Sequence, residues 1–175
     1  MKVFKFGLCT LLSLALVSGC TTTETSVETS TSYDKEVDVL IIGAGGAGLS
    51  AAVEASDTGA ESVLVIEKLS FIGGTTFVSQ GMIAGYDTVV QEAAGVETIT
   101  YEEMYDNLMS NASYRLDTAL TSITVAESGN TIDWLVERVG VTFMDTVYVG
   151  YGPLQMMHVV DGGGIGLSEP YQSVL

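Results

Sequence analysis

The chain has 175 residues, with 6 Lys and Arg against 22 Asp and Glu, a formal net charge of −16, and 47% apolar residues. So acidic a surface excludes a nucleic-acid partner and electrostatic adhesion to anionic lipid, since both need a positive footprint. The apolar share is ample for the core of one domain, and a count of 2 cysteines, one of them inside an N-terminal apolar run, excludes a disulfide framework.

In chain order, the first residues read as a targeting segment. Met1, Lys2 and Lys5 form a basic head, and residues 6–17 are an apolar stretch too short to span a bilayer as a mature helix. Val17, Ser18, Gly19 and Cys20 follow in a pattern that resembles a bacterial lipobox: small residues for the peptidase, then a cysteine that receives the lipid. Residues 1–19 are therefore expected to be a lipoprotein signal peptide. Lipid on Cys20 is expected to anchor the exported protein to a bacterial membrane. Residues 20–35, rich in Thr and Ser and nearly free of apolar side chains, cannot bury a core and read as a tether. The folded part is expected to be residues 36–175.

That part opens on a strand, a glycine turn and a helix. Val37, Val39, Leu40, Ile41 and Ile42 are an aliphatic run of the kind found in parallel strands buried on both faces. Gly43, Gly45 and Gly48 then stand at G-x-G-x-x-G spacing. The first allows a tight turn, the second lets a pyrophosphate approach the backbone, and the third lets the helix pack on the strand. A helix from about Ala47 through Ala55 would aim its first amides at that turn, so a diphosphate needs no Lys or Arg. A second buried strand, Val63 to Ile66, ends in Glu67, about twenty residues after the last motif glycine, where a carboxylate accepts hydrogen bonds from ribose hydroxyls. The glycines alone are weak evidence; the βαβ context makes residues 43–48 and Glu67 a dinucleotide site in a Rossmann-like α/β domain.

The next piece separates two kinds of dinucleotide. After Lys68 the chain opens a loop with Gly73, Gly74, Thr75 and Thr76, then Gln80, Gly81 and Met82, suited to backbone passage along an extended ligand. With this loop the chain, from Asp38 to about Leu175, resembles the FAD-dependent oxidoreductases that include soluble fumarate reductases, flavocytochrome c, urocanate reductase and the succinate dehydrogenase flavoprotein. The resemblance implies FAD as cofactor. It places Gly43, Gly45, Gly46, Ala47 and Gly48 at the pyrophosphate, and Glu67 and Lys68 at the adenosine end. Gly73, Gly74, Thr75, Thr76, Gln80 and Gly81 would lie along the flavin.

From Thr98 the pattern is helical. Thr100 and Glu103 make a capping box for a helix through Met109. Leu116, Ala119, Leu120, Ile123 and Ala126 recur as an inward apolar stripe. Asn130 is expected to cap a third helix that Gly140 closes, and Val141 to Met144 reads as a short strand. His158-Val159-Val160-Asp161-Gly162-Gly163-Gly164-Ile165-Gly166 resembles the family's H-R-P-x-G-G-x-G turn. His158, the only histidine, is read as a hydrogen-bonded structural residue rather than a base or metal ligand.

No metal-ligand cluster and no nucleophile setting appear, and no residue is assigned a catalytic role. Arg115 and Arg138 match no catalytic position of the family. Its later A-T-G-G strand and terminal glycine-rich segment are not seen. The expectation is the N-terminal part of a lipoprotein flavin oxidoreductase that reduces an enoate or similar small organic acid with electrons from a separate donor. The 175 residues alone are expected to be inactive. The alternatives are a short non-catalytic nucleotide-binding lipoprotein, and a nicotinamide-binding protein, which the Gly73-Gly74 loop disfavours.

Overall fold

A computed structural model describes residues 34–150 and 152–175. The signal segment, Cys20 and most of the tether lie outside the described residues. Strand β1 (Val39–Ile42) and strand β2 (Val63–Ile66) pair in parallel, Val39 with Val63 through Ile42 with Ile66. Helix α1 (Gly46–Asp57) connects them and buries Leu49, Ala52 and Val53. Asp38 ends the ladder before Val37: its carboxylate accepts from the Ser62 amide at 2.8 Å and the Ser62 hydroxyl at 3.1 Å.

The strand is covered on one face, not both. Leu40 is 53% exposed and Ile42 80% exposed, with Ile66 of β2 at 43%. Helix α1 takes the opposite face, and among the described residues nothing packs on this one to the degree that burial on both faces requires.

Helix α2 (Gly74–Phe77) and strand β3 (Met82–Ala84) lead into helix α3 (Val89–Ala94), helix α4 (Tyr101–Asn111), helix α5 (Thr118–Ala126) and helix α6 (Ser128–Trp134). The last runs on as a π-helical turn, Leu135–Val139, which Gly140 ends in a left-handed conformation. Strand β4 (Phe143–Val149) and strand β5 (Gln155–Val160) form an antiparallel sheet with β3, in the order β3-β5-β4, before helix α7 (Gly163–Ser168) and helix α8 (Tyr171–Val174).

The capping box of α4 forms as expected. Thr100 Oγ1 accepts from the Glu103 amide, and Glu103 Oε2 accepts from the Thr100 amide at 2.8 Å, which with the Thr100 hydroxyl holds the Glu103 carboxyl below its usual range. Two other expectations are corrected. Leu116, Leu120 and Ile123 face outward at 41%, 67% and 63% exposure, while Thr121 and Val125 form the buried face of α5. Asn130 caps nothing: α6 begins at Ser128, because Glu127 closes α5 and opens α6 without a connecting loop. The expected short strand starts at Phe143 and extends to Val149.

Two cores result. One joins Ala44, Leu49 and Val53 to Ile132, Leu135, Val139, Phe143, Val160 and Tyr171; the other holds Met104, Val125 and Met156. Met104→Ala should cost about 2 to 5 kcal/mol as a cavity in the second core. Leu120→Ser should change stability by less than about 0.5 kcal/mol, because its side chain is already in water. Urea melts of both variants check the assignment of the α5 faces, and a large loss at Leu120 would refute it.

Candidate functional site

The turn between β1 and α1 is built by close backbone approach. Gly43 has φ +100°, a conformation that L side chains rarely adopt. A Cβ on Gly48 would lie 1.9 Å from the Gly43 carbonyl oxygen, so the helix rests directly on the strand end. The Gly45 N-cap carries no side-chain cap, and the first amide bonded in the helix ladder is Leu49, to Gly45 O at 2.9 Å. The amides of Gly46, Ala47 and Gly48 precede it, at the positive end of a 12-residue helix with no acidic residue in its first turn.

Glu67 stands beside this turn. Its Oε2 accepts from the Ala44 amide at 2.8 Å and its Oε1 from the Leu69 amide at 2.9 Å. These amides, Leu69 first and Ala44 second, hold the carboxyl below its usual range, so it is an anion at neutral pH. Each oxygen keeps a further lone pair for another donor.

Residues 73–81 close on the same turn. The Gly73 amide donates to Ala44 O at 2.6 Å, and Gly45 and Gly73 form a parallel bridge. The Gly46 amide donates to Thr76 Oγ1 at 3.3 Å. The structure thus brings together residues 43–48, Glu67, Gly73, Gly74 and Thr76, which are far apart in sequence. Lys68, Thr75 and Gln80 are exposed, and Gly81 is buried, its amide donating to Ser79 Oγ at 3.2 Å and its carbonyl accepting from the Val160 amide at 2.8 Å.

Two contacts that hold helix α1 were not legible in the sequence. Tyr171 of α8 is buried, and its hydroxyl meets Ser50 Oγ on α1 at 2.7 Å; burial pushes its pKa up. Arg138, on the π-helical turn, grips Asp57 at the other end of α1 with Nε at 2.6 Å and Nη2 at 2.7 Å. Spacing alone shows neither contact, since each spans most of the domain.

His158 is a structural residue, as expected. It is fully buried on β5, with Nε2 at 2.8 Å from Thr88 Oγ1 and Nδ1 at 3.1 Å from Met156 O. A carbonyl only accepts, so Nδ1 carries the proton and Nε2 accepts from Thr88. Burial holds its pKa below the ordinary range. A separate cleft of about 340 Å³, lined by Asp87, Thr88, Glu92 and Asp133 among others, takes no lining from residues 43–48, 67 or 73–81. Its acidic rim suits no phosphate, and it is not the site. Among the described residues no group of His, Cys, Asp and Glu is placed to hold a metal ion.

The glycine turn fits a dinucleotide on three counts: a helix start whose N-cap Gly45 has no side chain to cover the Ala47 and Gly48 amides, a close backbone approach that a side chain on Gly48 would block, and a carboxylate with open lone pairs at the end of the second strand. Comparison with known proteins agrees. A family model described as FAD binding domain matches residues 38–164. A fumarate reductase (cytochrome) of Shewanella frigidimarina is 34% identical over 131 residues, which are 74% of this chain and 22% of that protein. An acrylate reductase flavoprotein subunit of Shewanella woodyi is 49% identical over 65 residues, 37% of this chain and 13% of the relative. The chain thus spans about a fifth or less of the length of these curated relatives. Among solved structures, the 3-ketosteroid-delta4-(5alpha)-dehydrogenase of Rhodococcus jostii RHA1 superposes with a TM-score of 0.72 at 28% identity, covering 85% of this chain and 38% of that one. With a match that runs over well more than half of its residues, the chain belongs to the FAD binding domain family, whose flavin cofactor is FAD.

Proposed function

We propose that the chain is the dinucleotide-holding part of a longer flavin oxidoreductase that reduces an enoate or similar small organic acid, fed by a separate electron donor. The observation that carries it is the meeting of Glu67, the uncapped α1 start and the loop at Gly73 on one turn. The likeness to proteins named fumarate and acrylate reductase supports the substrate class.

In this reading the amides of Gly46, Ala47 and Gly48, with the α1 dipole, neutralise the pyrophosphate, and Gly45 lets it approach. Glu67 accepts from the adenosine ribose, with Lys68 beside it. Gly73, Gly74, Thr75, Thr76, Gln80 and Gly81 run along the flavin and shield it from water. Bound FAD supplies the acceptor and donor of a hydride. This chain contributes binding and orientation, and the catalytic residues belong elsewhere in the longer protein: Arg138 is committed to Asp57, and Arg115 is exposed on the segment ahead of α5.

Glu67→Ala should weaken FAD binding on the order of tenfold to a hundredfold, the range for hydrogen bonds to a charged group. Flavin fluorescence titration reads this directly. Wild-type affinity in a folded Glu67→Ala variant would remove the ribose assignment.

We further propose that the protein is exported and held to a membrane by lipid on Cys20, after cleavage of residues 1–19, with residues 20–35 as the tether. The basic head, the short apolar run and the lipobox support this. No helix of the described residues is long and apolar enough to cross a membrane. Intact mass should show loss of the leader and an acyl addition. A Cys20→Ser variant that stays equally membrane-bound would refute the anchor.

A further inference from the structure

Strand β5, the turn at residues 161–162 and helix α7 make a second strand, glycine turn and helix, to which the FAD reading gives no task. It repeats the close approach of the first turn. A Cβ on Gly166 would lie 1.9 Å from the Asp161 carbonyl oxygen, as one on Gly48 would from that of Gly43. At each turn one leading amide donates to the loop of residues 73–81: Gly46 to Thr76 Oγ1 at 3.3 Å in the first, and Gly164 to Ser79 O at 3.0 Å in the second.

Gly164 is where the second turn meets the loop. A Cβ there would stand 2.1 Å from Thr76 O, 2.7 Å from Phe77 O and 2.8 Å from Ser79 O, so three loop carbonyls converge on one backbone position. Ser168, 1% exposed, donates its hydroxyl to Gly164 O at 2.7 Å, and its Oγ would be 2.6 Å from a Cβ on Gly73. On its other side the loop is tied to the first turn through Gly73 to Ala44 and Gly46 to Thr76. Residues 73–81 are therefore clasped between two glycine turns.

We propose that the second glycine turn is the bed of this loop and that Gly164 is a positioning residue, setting how far residues 76–79 lie from the pyrophosphate turn. The inference rests on the FAD reading of the loop, and Gly164 itself touches no ligand. The physical reason is that backbone carbonyls packed on a glycine cannot shift inward, and any side chain there drives them outward.

The test compares two substitutions that insert a Cβ into a backbone carbonyl inside a helix. Gly164→Ala meets Thr76 O at 2.1 Å, and Gly129→Ala, away from the loop, meets Tyr86 O at 2.3 Å. Both should lower the thermal midpoint. Gly164→Ala alone should speed amide hydrogen exchange of residues 76–81 by roughly tenfold or more under conditions where circular dichroism shows the chain folded. The same variant should weaken FAD binding, while Gly129→Ala leaves loop exchange and affinity near wild type. Ser168→Ala, which inserts no atom and so preserves folding, should raise exchange in residues 73–81 with little change in midpoint. Loop exchange in either α7 variant no faster than in Gly129→Ala overturns the proposal. Failure of the wild type to bind FAD overturns the functional reading instead, and the exchange comparison then still decides whether Gly164 holds the loop.

Discussion

Gly48→Val is expected to eliminate FAD binding and to destabilise the domain by about 1 to 3 kcal/mol or more, the range for forcing extra atoms into a packed contact. A Cβ at this position falls 1.9 Å from Gly43 O, 3.1 Å from Gly43 C and 3.4 Å from Ile41 Cγ2. None of these can yield cheaply, because two are backbone and Gly43 is already held at φ +100°. Helix α1 must therefore lift from β1, carrying the Gly46, Ala47 and Gly48 amides away from the pyrophosphate and breaking the register of Ala44 with Glu67. Gly59→Ala separates the two causes: it strains a residue at φ +103° with nothing within 4 Å, so it should cost stability and leave flavin affinity alone. Flavin titration and urea melts of both variants make the comparison. A folded Gly48→Val protein with wild-type affinity would show that the turn is not the pyrophosphate site.

His158→Leu is the second large effect, and it acts on stability and its pH dependence. The ring accepts from Thr88 and donates to Met156 O, and Thr88 Oγ1 also accepts from the Gln91 amide as the cap of α3. Leucine removes two buried hydrogen bonds at about 0.5 to 1.5 kcal/mol each, while Met156 O keeps the Gly85 amide at 2.9 Å and Thr88 Oγ1 keeps Gln91. The pH dependence follows from the direction of the pKa. Burial depresses the folded value, so above the unfolded pKa of about 6.5 neither state is protonated and the contribution of the neutral ring is complete. As pH falls below that, the unfolded chain takes up the proton first and stability declines, by at most about 1.4 kcal/mol per unit for one group, until the folded pKa is passed. Protonation at Nε2 would also turn a second donor toward Thr88, whose hydroxyl oxygen already serves the α3 cap. Since the chain has 1 histidine, stability between about pH 5 and 6.5 should slope in the wild type and be nearly flat in His158→Leu. An equal slope in both would assign the dependence to carboxylates.

Local chemistry made several features legible in the amino-acid order. Gly43 and Gly48 mark a turn because only a residue without Cβ fits φ +100° and a 1.9 Å approach, and that demand is written into residue type. The Thr100 and Glu103 box works within one helical turn. Two aliphatic runs separated by a helix of suitable length imply a parallel pair, and the pair formed. In each case the interacting groups are neighbours in the chain or are dictated by backbone geometry.

What lies across the fold was decided only by tertiary structure. The Leu116, Leu120 and Ile123 stripe has helical spacing, yet α5 turns Thr121 and Val125 inward, because periodicity reveals an apolar face and not what covers it. The aliphatic run of β1 likewise could not disclose that Leu40 and Ile42 stand open on one side. Arg138, on the π-helical turn, reaches Asp57 at the far end of α1, and Gly164, just after β5, packs against the carbonyls of Thr76 and Ser79. Contacts of this kind depend on how separate elements pack, and residue order constrains that packing only through the whole chain at once.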